Sequence, residues 1–226
     1  MFDNTSTMEI KVIAYTKKEN VWYNTIKRIF DFFSSLMVII LLSWLLLIIY
    51  VINAFVTKGH PIFADLRIGK DGETIKVYKF RTMCNDAESN IDKYLTKEQK
   101  ETWLRERKLD NDPRITKFGN ILRKTSLDEL PQLFNILGGS MSVVGYRPMS
   151  DREVYENFNE TQREILFSAK PGLTGYWQVY GRSEVSFKSG KRQRLEIEYF
   201  AKRGLMFDLG LIFKTIPAVL KREGAK

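Results

Sequence analysis

The run LMVIILLSWLLLIIYVI, from Leu36 to Ile52, decides how this chain is organised. It carries no charge, and the uncharged segment around it extends from Phe32 to Thr57. At 1.5 Å per residue, a helix of this length covers the roughly 30 Å hydrocarbon core of a bilayer. We therefore predict an N-terminal extension over residues 1–24, a membrane helix over residues 25–58 and a globular domain over residues 59–226.

The charges beside this run do not orient it. Cations lie on both sides: Lys17, Lys18, Lys27 and Arg28 precede it, and Lys58, Arg67 and Lys70 follow it. The positive-inside rule therefore leaves two arrangements open, a helix that re-enters the face it came from and a simple span. A core helix of a soluble protein seldom stays apolar on every face for so long.

The amino-acid composition favours some binding partners and excludes some kinds of catalytic and metal site. The 226 residues carry a formal charge of +9, which favours an anionic partner such as nucleic acid, an anionic membrane or a phosphorylated small molecule. Cys84 is the single cysteine, so no intramolecular disulfide forms. His60 is the single histidine. A zinc site of His and Cys and a Ser-His-Asp triad therefore both lack parts.

The remainder of the chain predicts a helix-rich α+β fold. Two alternating stretches over residues 61–68 and 73–81 are separated by Asp71-Gly72, a strong signal for a β-hairpin. A charged helical pair is expected over residues 86–108, with Thr96 and Gln99 as a capping box. Further helices are predicted over residues 127–137, 152–167 and 191–203. A last segment over residues 205–220 is either an interfacial amphipathic helix or a helix packed on the core.

The stretch from Ser126 to Glu129 has two interpretations. Ser126 at an N-cap with Glu129 three residues later is the pattern of a capping box, which gives the acidic residues a purely structural role. However, Arg114, Lys117, Arg123 and Lys124 lie just upstream. If they share a pocket with Asp128, the cations lower its pKa and keep it anionic as a nucleophile or metal ligand.

Two glycine-bearing segments, over residues 138–148 and 170–182, each contain an arginine, Arg147 and Arg182. Glycine lets backbone N–H groups approach a phosphate, and arginine forms strong charge-assisted bonds with it. Lys79 and Arg81 share one face near the end of the second strand, which is a further phosphate-binding candidate. Trp177, Tyr176 and Tyr180 in the second segment are alternative candidates for stacking on a nucleotide base.

An ordered set of motifs resembles the bacterial sugar transferase family, the monotopic phosphoglycosyl transferases. The motifs are Lys79-Phe80-Arg81-Thr82-Met83, Asp112-Pro113-Arg114-Ile115-Thr116, Ser126-Leu127-Asp128-Glu129-Leu130-Pro131-Gln132, Met141-Ser142-Val143-Val144-Gly145, Arg147-Pro148, and Pro171-Gly172-Leu173-Thr174-Gly175 through Gly181-Arg182. The resemblance covers about residues 25–224. It implies transfer of a sugar 1-phosphate, here expected to be a hexose 1-phosphate, from a nucleotide diphosphosugar such as a UDP-sugar to polyprenyl (undecaprenyl) phosphate.

The resemblance also implies residue roles. Asp128 would attack the β-phosphate and form a phosphosugar-aspartyl intermediate, and Glu129 would handle the proton. Mg²⁺ bound near Asp128 would neutralise the diphosphate, and the residues implied to bind substrate phosphates are Lys79, Arg81, Arg114, Arg123, Arg147 and Arg182. The expected location is the bacterial inner membrane with the catalytic domain on the cytosolic face. Membrane lipid is an expected partner, nucleic acid is not, and a homodimer is a further expectation.

Three positions depart from the family pattern. Trp44 follows Ser43 where the family commonly has proline, which bears on the choice between a re-entrant and a spanning helix. Tyr146 stands where proline often precedes the arginine, and Tyr180 where Asn or Ser often precedes Gly-Arg. Both tyrosines lie beside the segments implied to bind substrate, so they are candidates for tuning sugar or acceptor choice.

Two other functions remain open from the sequence. A membrane-tethered basic protein would bind anionic lipid or nucleic acid without catalysis, with Asp128 and Glu129 as helix caps. A transferase with one-step displacement would form no covalent intermediate.

Overall fold

The computed structural model describes residues 21–87, 89–106, 109–181 and 187–220. The helices are α1 (Val21–Thr57), α2 (Ile91–Tyr94), α3 (Lys97–Glu106), α4 (Lys117–Thr125), α5 (Gln132–Gly138), α6 (Asp151–Asn157), α7 (Glu160–Phe167), α8 (Tyr176–Tyr180), α9 (Lys191–Lys202) and α10 (Leu205–Leu220). The strands are β1 (Ile62–Ile68), β2 (Thr74–Phe80), β3 (Ser142–Val144) and β4 (Gly172–Thr174). The prediction of a helix-rich α+β fold is confirmed at this level.

Helix α1 contains the apolar run and is long and apolar enough to cross a membrane. Its 37 residues correspond to about 55 Å at 1.5 Å per residue. The helix begins at Val21, before the predicted bound at residue 25, and it continues unbroken through Ser43 and Trp44. Most side chains in its apolar window are not buried within the protein. The first 20 residues of the predicted extension lie outside the described residues.

The described chain groups into two compact units. The first contains residues 21–41, 64–77 and 132–220, and the second contains residues 42–63 and 78–131, each without the undescribed positions. Helix α1 and the hairpin of β1 and β2 contribute residues to both units. Each unit is described by itself below.

The first unit is built on a short parallel pair, β3 and β4, in which Ser142 lies opposite Gly172 and Val144 opposite Thr174. A Cβ on Gly172 would lie 2.1 Å from the Gly145 nitrogen, so the close approach of the two chains requires glycine. The small size of Gly145 and Gly172 thus serves strand packing, while the approach of backbone N–H groups in these segments to a phosphate stays a prediction. Strands of three residues are too short to show an alternating pattern.

Helices α6, α7, α9 and α10 cover this pair and bury the main apolar core. Its buried residues are Ile68, Val144, Tyr146, Met149, Val154, Phe158, Ile165, Leu166, Ile197, Tyr199, Phe200 and Leu211. The predicted helix over residues 152–167 is in fact two helices, since the chain turns at Phe158 and Asn159 starts α7 with its own capping box. The predicted helices over residues 191–203 and 205–220 are confirmed.

Polar side chains on the N-terminal part of α1 attach it to the first unit. Lys27 Nζ lies 2.6 Å from Asp208 Oδ2, and Asp31 Oδ1 accepts a hydrogen bond of 2.9 Å from the Val143 nitrogen. Arg28 donates to the carbonyl oxygens of Ile136 and Leu137 at the end of α5. Helix α1 is thus held to this unit by charged residues that precede its apolar run.

The predicted hairpin is confirmed, since β1 and β2 pair as neighbours. The connection contains a 3₁₀ turn, Lys70–Gly72, in which Asp71 has φ 58° and Gly72 has φ 78°. Two successive residues with positive φ are what the Asp-Gly pattern predicts for a tight hairpin turn.

In the second unit, the C-terminal part of α1 packs on the strand end and α4. Ile49, Phe80 and Leu122 are its buried centre. The Asn53 side-chain amide donates hydrogen bonds of 2.9 Å to the carbonyl oxygens of Pro61 and Arg81. This amide therefore fixes the end of β2, the strand that carries Lys79.

The remaining second-unit elements are α2 and α3. These form the predicted charged helical pair, and the predicted capping box is confirmed: the Gln99 nitrogen donates to Thr96 Oγ1 and the Thr96 nitrogen to Gln99 Oε1. No catalytic role was predicted for this pair.

Candidate active site

The segment around Asp112 and Arg114 is a structural element. Arg114 is 2% exposed, and its Nη2 lies 2.6 Å from Asp112 Oδ2 while its Nε lies 2.9 Å from Asp112 Oδ1. Its guanidinium also stacks 4.9 Å from the ring centroid of Trp103. The structure thus turns the Arg114 guanidinium inward, towards a carboxylate and an indole, which is a different environment from the predicted phosphate contact.

Helix α4 follows this segment, and its Arg123 side chain contacts Thr82 just after the end of β2. Thr116 caps the helix by accepting from the Gly119 nitrogen at 2.9 Å. A Cβ on Gly119 would lie 2.0 Å from the Thr82 oxygen, so only glycine allows the helix to lie this close. In the last turn, Arg123 Nε donates to Thr82 Oγ1 at 2.9 Å. The Arg123 head group is therefore fixed at the strand end.

Of the two interpretations of the stretch from Ser126 to Glu129, the capping box is wrong. Ser126 is the C-cap of α4, with φ 56° and ψ 17°, and its side chain makes no capping hydrogen bond. It leads into a 3₁₀ turn, Leu127–Glu129, and α5 starts only at Gln132, after Pro131. A non-glycine residue with positive φ at such a place is a feature that clusters at functional sites. Helix capping thus gives no structural reason for the acidic pair.

Asp128 and Glu129 lie together with Lys79 and Arg123. Burial is the main cause that raises the pKa of Asp128 to about 6, the charge of Glu129 raises it further, and Lys79 and Arg123 oppose the shift. The sequence argument that cations lower this pKa is therefore wrong in its net direction, because desolvation outweighs the two cations. At pH 7 a pKa of about 6 still leaves about ten carboxylates for each protonated carboxyl.

The same burial and neighbouring charges also affect the pKa of Arg123. Burial lowers its pKa, while the charges of Asp128 and Asp112 raise it. A half-buried guanidinium beside a half-buried carboxylate is a site of low effective dielectric, in which charge interactions with a third group are strengthened.

Two further predicted residues of this unit have separate positions. Lys79, near the end of β2, is close enough to Asp128 to lower its pKa. Arg81 instead donates from Nε to the His60 carbonyl oxygen at 2.8 Å and lies over the Phe63 ring. The structure thus groups Lys79 and Arg123 with the acidic pair and gives Arg81 backbone and aromatic partners.

The metal-ligating capacity of this site is small. Among the residues that the structure describes, no group of three or more His, Cys, Asp or Glu side chains is close enough to hold a metal ion. Asp128 and Glu129 supply two carboxylates. Mg²⁺ is commonly bound by one or two carboxylates together with substrate phosphates and water, so this donor set fits a magnesium ion that arrives with a diphosphate.

The predicted residues of the first unit form their own group. The Arg147 guanidinium lies 5.6 Å from the ring centroid of Trp177. Tyr146 is 1% exposed and donates to the Ile68 carbonyl oxygen at 3.2 Å, so this departure from the family pattern is a core residue. Tyr180 is exposed beside Lys214. Arg182 lies outside the described residues.

A family model for bacterial sugar transferases matches residues 22–222. The chain belongs to this family. The similarity extends over both units and includes the acidic turn, and it confirms the family predicted from the sequence motifs.

Named relatives agree with this assignment. The chain is 39% identical over 201 residues to the exopolysaccharide production protein ExoY of Rhizobium meliloti, covering 88% of this chain and 87% of the relative. It is 40% identical over 203 residues to a UDP-galactose-lipid carrier transferase of Erwinia amylovora, covering 88% of this chain and 41% of the relative. It is 36% identical over 196 residues to a UDP-glucose:undecaprenyl-phosphate glucose-1-phosphate transferase of Escherichia coli, covering 84% and 39%.

The chain therefore spans about two fifths of the length of the last two relatives and most of the length of ExoY. All three names describe sugar transfer or polysaccharide production, which bears out the predicted class of enzyme.

Sequence reasoning missed several residues that shape these groups. Thr82 packs against α4 and accepts a hydrogen bond from Arg123. Trp103 stacks on Arg114, although Trp103 lies in a helix for which no catalytic role was predicted. Glu196 is fully buried on α9 and accepts from the Arg147 nitrogen. An acidic residue on the otherwise apolar buried face of α9 was the available signal, since an ionisable group at a core position needs a partner.

Proposed function

We propose that this protein transfers a sugar 1-phosphate, a hexose 1-phosphate, from a UDP-sugar to undecaprenyl phosphate and releases nucleoside monophosphate. The observation that carries the proposal is the uncapped acidic turn, in which Asp128 is held at a strand end beside two cations. The names of the relatives support the donor and acceptor classes.

Asp128 is the nucleophile of the proposed reaction. One of its carboxylate oxygens forms a bond to the β-phosphorus, the bond from that phosphorus to the bridging oxygen breaks, and nucleoside monophosphate leaves with the electron pair. An oxygen of the acceptor phosphate then attacks the same phosphorus, and Asp128 leaves as a carboxylate. Glu129 takes the proton that the acceptor phosphate gives up. Covalent catalysis of this kind divides one difficult displacement into two easier ones.

Lys79 and Arg123 supply positive charge at the reacting diphosphate. Phosphoryl transfer depends mainly on positioning and on neutralising charge, and Thr82 holds the Arg123 head group before substrate arrives. Asp128 and Glu129 are the residues that would hold Mg²⁺, which when bound neutralises charge on the diphosphate oxygens.

The proposed location is the cytoplasmic face of the bacterial inner membrane, where nucleotide sugars are present. The apolar run of α1 supports membrane association, and a membrane location would give the protein access to a polyprenyl carrier. The product then starts the assembly of an exopolysaccharide, capsule or related glycan.

The test is release of nucleoside monophosphate from a panel of nucleotide diphosphosugars, with undecaprenyl phosphate and Mg²⁺. We expect release by the native chain and a loss of at least about 1,000-fold for Asp128→Asn, as when an enzyme loses its nucleophile. Glu101→Gln, an exposed carboxylate of α3, is the matched control and should retain activity.

Labelled donor without acceptor distinguishes the chemical routes. Label that stays on the denatured native chain, and not on Asp128→Asn, indicates the covalent intermediate. Release that requires acceptor, with no labelled protein, indicates one-step displacement. A folded, membrane-bound native chain that releases nothing from any donor would contradict the proposal and favour a non-catalytic lipid-binding role.

A further inference from the structure

Glu196 is a carboxyl group enclosed in the first unit. It is 0% exposed on α9. Its Oε2 accepts a hydrogen bond of 3.2 Å from the Arg147 nitrogen, while its Oε1 is buried and has no hydrogen-bond partner among the described residues. An ionisable group with one unpaired oxygen in a protein interior is costly, so an apolar residue would serve packing better.

Two arginines surround this carboxyl and share one indole ring. The Arg147 guanidinium lies 5.6 Å and the Arg192 guanidinium 4.2 Å from the ring centroid of Trp177. Arg192 also stacks 3.9 Å from the Phe187 ring. Two aromatic rings therefore hold the Arg192 guanidinium in a fixed orientation.

The hydrogen-bonding capacity of Arg192 is not used up within the described residues. Its Nε is buried without a hydrogen-bond partner there, and its ion pair with Glu153 is long, 3.9 Å. Glu153 lies closer to Arg67, at 2.8 Å. A guanidinium that aromatic rings orient, on a side chain that is still 13% exposed, is suited to a phosphate group, which guanidinium groups bind through two parallel hydrogen bonds.

The charges that face Glu196 come from three elements. Arg192 precedes it by one turn on α9, Arg147 follows β3, and Glu153 belongs to α6. The charge of Glu196 also raises the pKa of the Tyr146 hydroxyl. Burial raises the pKa of Glu196 to about 7, against the opposing effect of the two arginines. The carboxyl therefore changes its protonation state near neutral pH.

We propose that Arg147 and Arg192 form a phosphate-binding pair, and that Glu196 is its counter-charge, which takes up a proton when a substrate phosphate binds. With Glu196 ionised, the three groups carry a net charge of one; with Glu196 protonated, both guanidinium charges face the anion. An anion beside a carboxyl group favours its protonated form. By linkage, the phosphate then binds more tightly when Glu196 is already protonated.

The phosphate has two sources if the proposed function holds, the diphosphate of the UDP-sugar and the phosphate of the polyprenyl acceptor. The inference rests on the proposed function for these identities only, since the cation pair and its counter-charge are features of the first unit alone. Binding of each probe separately therefore distinguishes the sources.

Binding is measured in the Asp128→Asn background, which prevents turnover and removes the titration of Asp128. The probes are UDP-glucose, UDP-galactose and a short polyprenyl phosphate in detergent. For the probe that binds, the affinity should fall about tenfold between about pH 6 and about pH 8.5. This corresponds to a rise of about one unit in the pKa of Glu196 when the probe binds. With Glu196→Gln added, affinity should stay at the tight value throughout, so this substitution increases affinity at high pH.

A merely structural role for Glu196 predicts the opposite result, weaker binding at every pH. Glu198→Gln, two residues along α9 at a carboxylate paired with Lys202, is the matched control and should keep the pH dependence. Arg192→Gln should weaken binding and remove the pH dependence. Comparison of variants at each pH cancels any titration of the probe itself.

A second measurement needs no variant of Glu196. Calorimetry of the Asp128→Asn chain at neutral pH, in two buffers of different ionisation enthalpy, should show a fraction of a proton taken up with the bound probe. Parallel pH profiles for Glu196→Gln and its parent, no proton uptake, or no binding of any probe would each overturn the inference. If nucleoside monophosphate release fails while the proton-linked binding is observed, the proposed reaction falls and the phosphate pair remains.

Discussion

Asp112 and Asp128 are two aspartates of the second unit that lie near arginines, and their environments differ in a telling way. Asp112 forms a two-pronged contact with Arg114 and a bond to its backbone nitrogen. Burial acts to raise the pKa of Asp112, but the hydrogen bonds and charge of Arg114 lower it below its usual value. Asp128 has cations nearby, yet burial dominates and raises its pKa.

These opposite pKa shifts indicate different roles: Asp112 stabilises the fold, whereas Asp128 can react with a substrate. The oxygens of Asp112 are occupied by an arginine that is itself enclosed by Trp103. Asp128 is desolvated and held on a turn that follows a residue of positive φ, so its charge is stabilised less by its surroundings. A desolvated carboxylate is the more reactive of the two towards phosphorus.

Arg114→Ala should produce the largest effect on the folded state. It leaves Asp112 buried without its partner, and breaking a buried ion pair in this way costs about 3–5 kcal/mol. Thermal unfolding in detergent measures the loss. A double variant, Asp112→Asn with Arg114→Met, should recover part of the stability, and a normal unfolding temperature for Arg114→Ala would show that the pair does not support the fold.

Arg123→Gln should have the contrasting effect, with donor binding weakened and the fold kept. A hydrogen bond to a charged group contributes about 1.5–3 kcal/mol, so KM for the donor should rise about tenfold to a hundredfold. The measurement is nucleoside monophosphate release against donor concentration. Lys124→Gln, at the next and exposed position of α4, should leave KM unchanged; equal effects of the two would remove the distinction drawn for Arg123.

Asp128→Asn should stabilise the protein while it abolishes turnover. Burial of an ionised carboxylate is unfavourable, and the neutral amide avoids a cost on the order of 1–3 kcal/mol. The unfolding temperature should therefore rise in buffer without divalent cations. The same exchange at Asp112 should lower it, and a fall for both variants would mean that the two sites are equally structural.

Tyr146→Phe should have the smallest effect. The substitution removes the hydrogen bond to the Ile68 carbonyl oxygen and should lower stability by about 1 kcal/mol. Because the ring lies in the core, KM values for donor and acceptor should not change. A clear change in sugar preference would return Tyr146 to the role in substrate choice that its place in the motif suggested.

The sequence predicted the long-range organisation better than the local geometry of the site. Three predictions rest on patterns that extend over several residues: the apolar run, the Asp-Gly hairpin and the helical periodicity of residues 191–220. No single tertiary contact changes the structure that such a pattern predicts. Ser126 shows the limit, because the same four residues suit an N-cap and a left-handed C-cap, and only the packing of α4 against Thr82 decides between them.

Electrostatics were harder to predict for a related reason. The signs of the charges near Asp128 are visible in the sequence, but the extent of its burial is not, and burial outweighs the cations. Arg114 and Arg123 have the same side chain within ten positions, yet one turns inward to Asp112 and the other to Thr82. That choice depends on tertiary contacts with Trp103 and with the end of β2.

The ion pair between Lys27 and Asp208 bears on the order of events during synthesis. The two residues are separated by 181 positions, so at about 5–20 residues per second the lysine waits roughly 10–40 s for its partner to be made. The apolar run that follows Lys27 is complete long before then and already requires a nonpolar phase. The long apolar helix is therefore made before the segment that its basic N-terminal end contacts, and the pair between Lys27 and Asp208 can join α1 to the first unit only after Asp208 has been made.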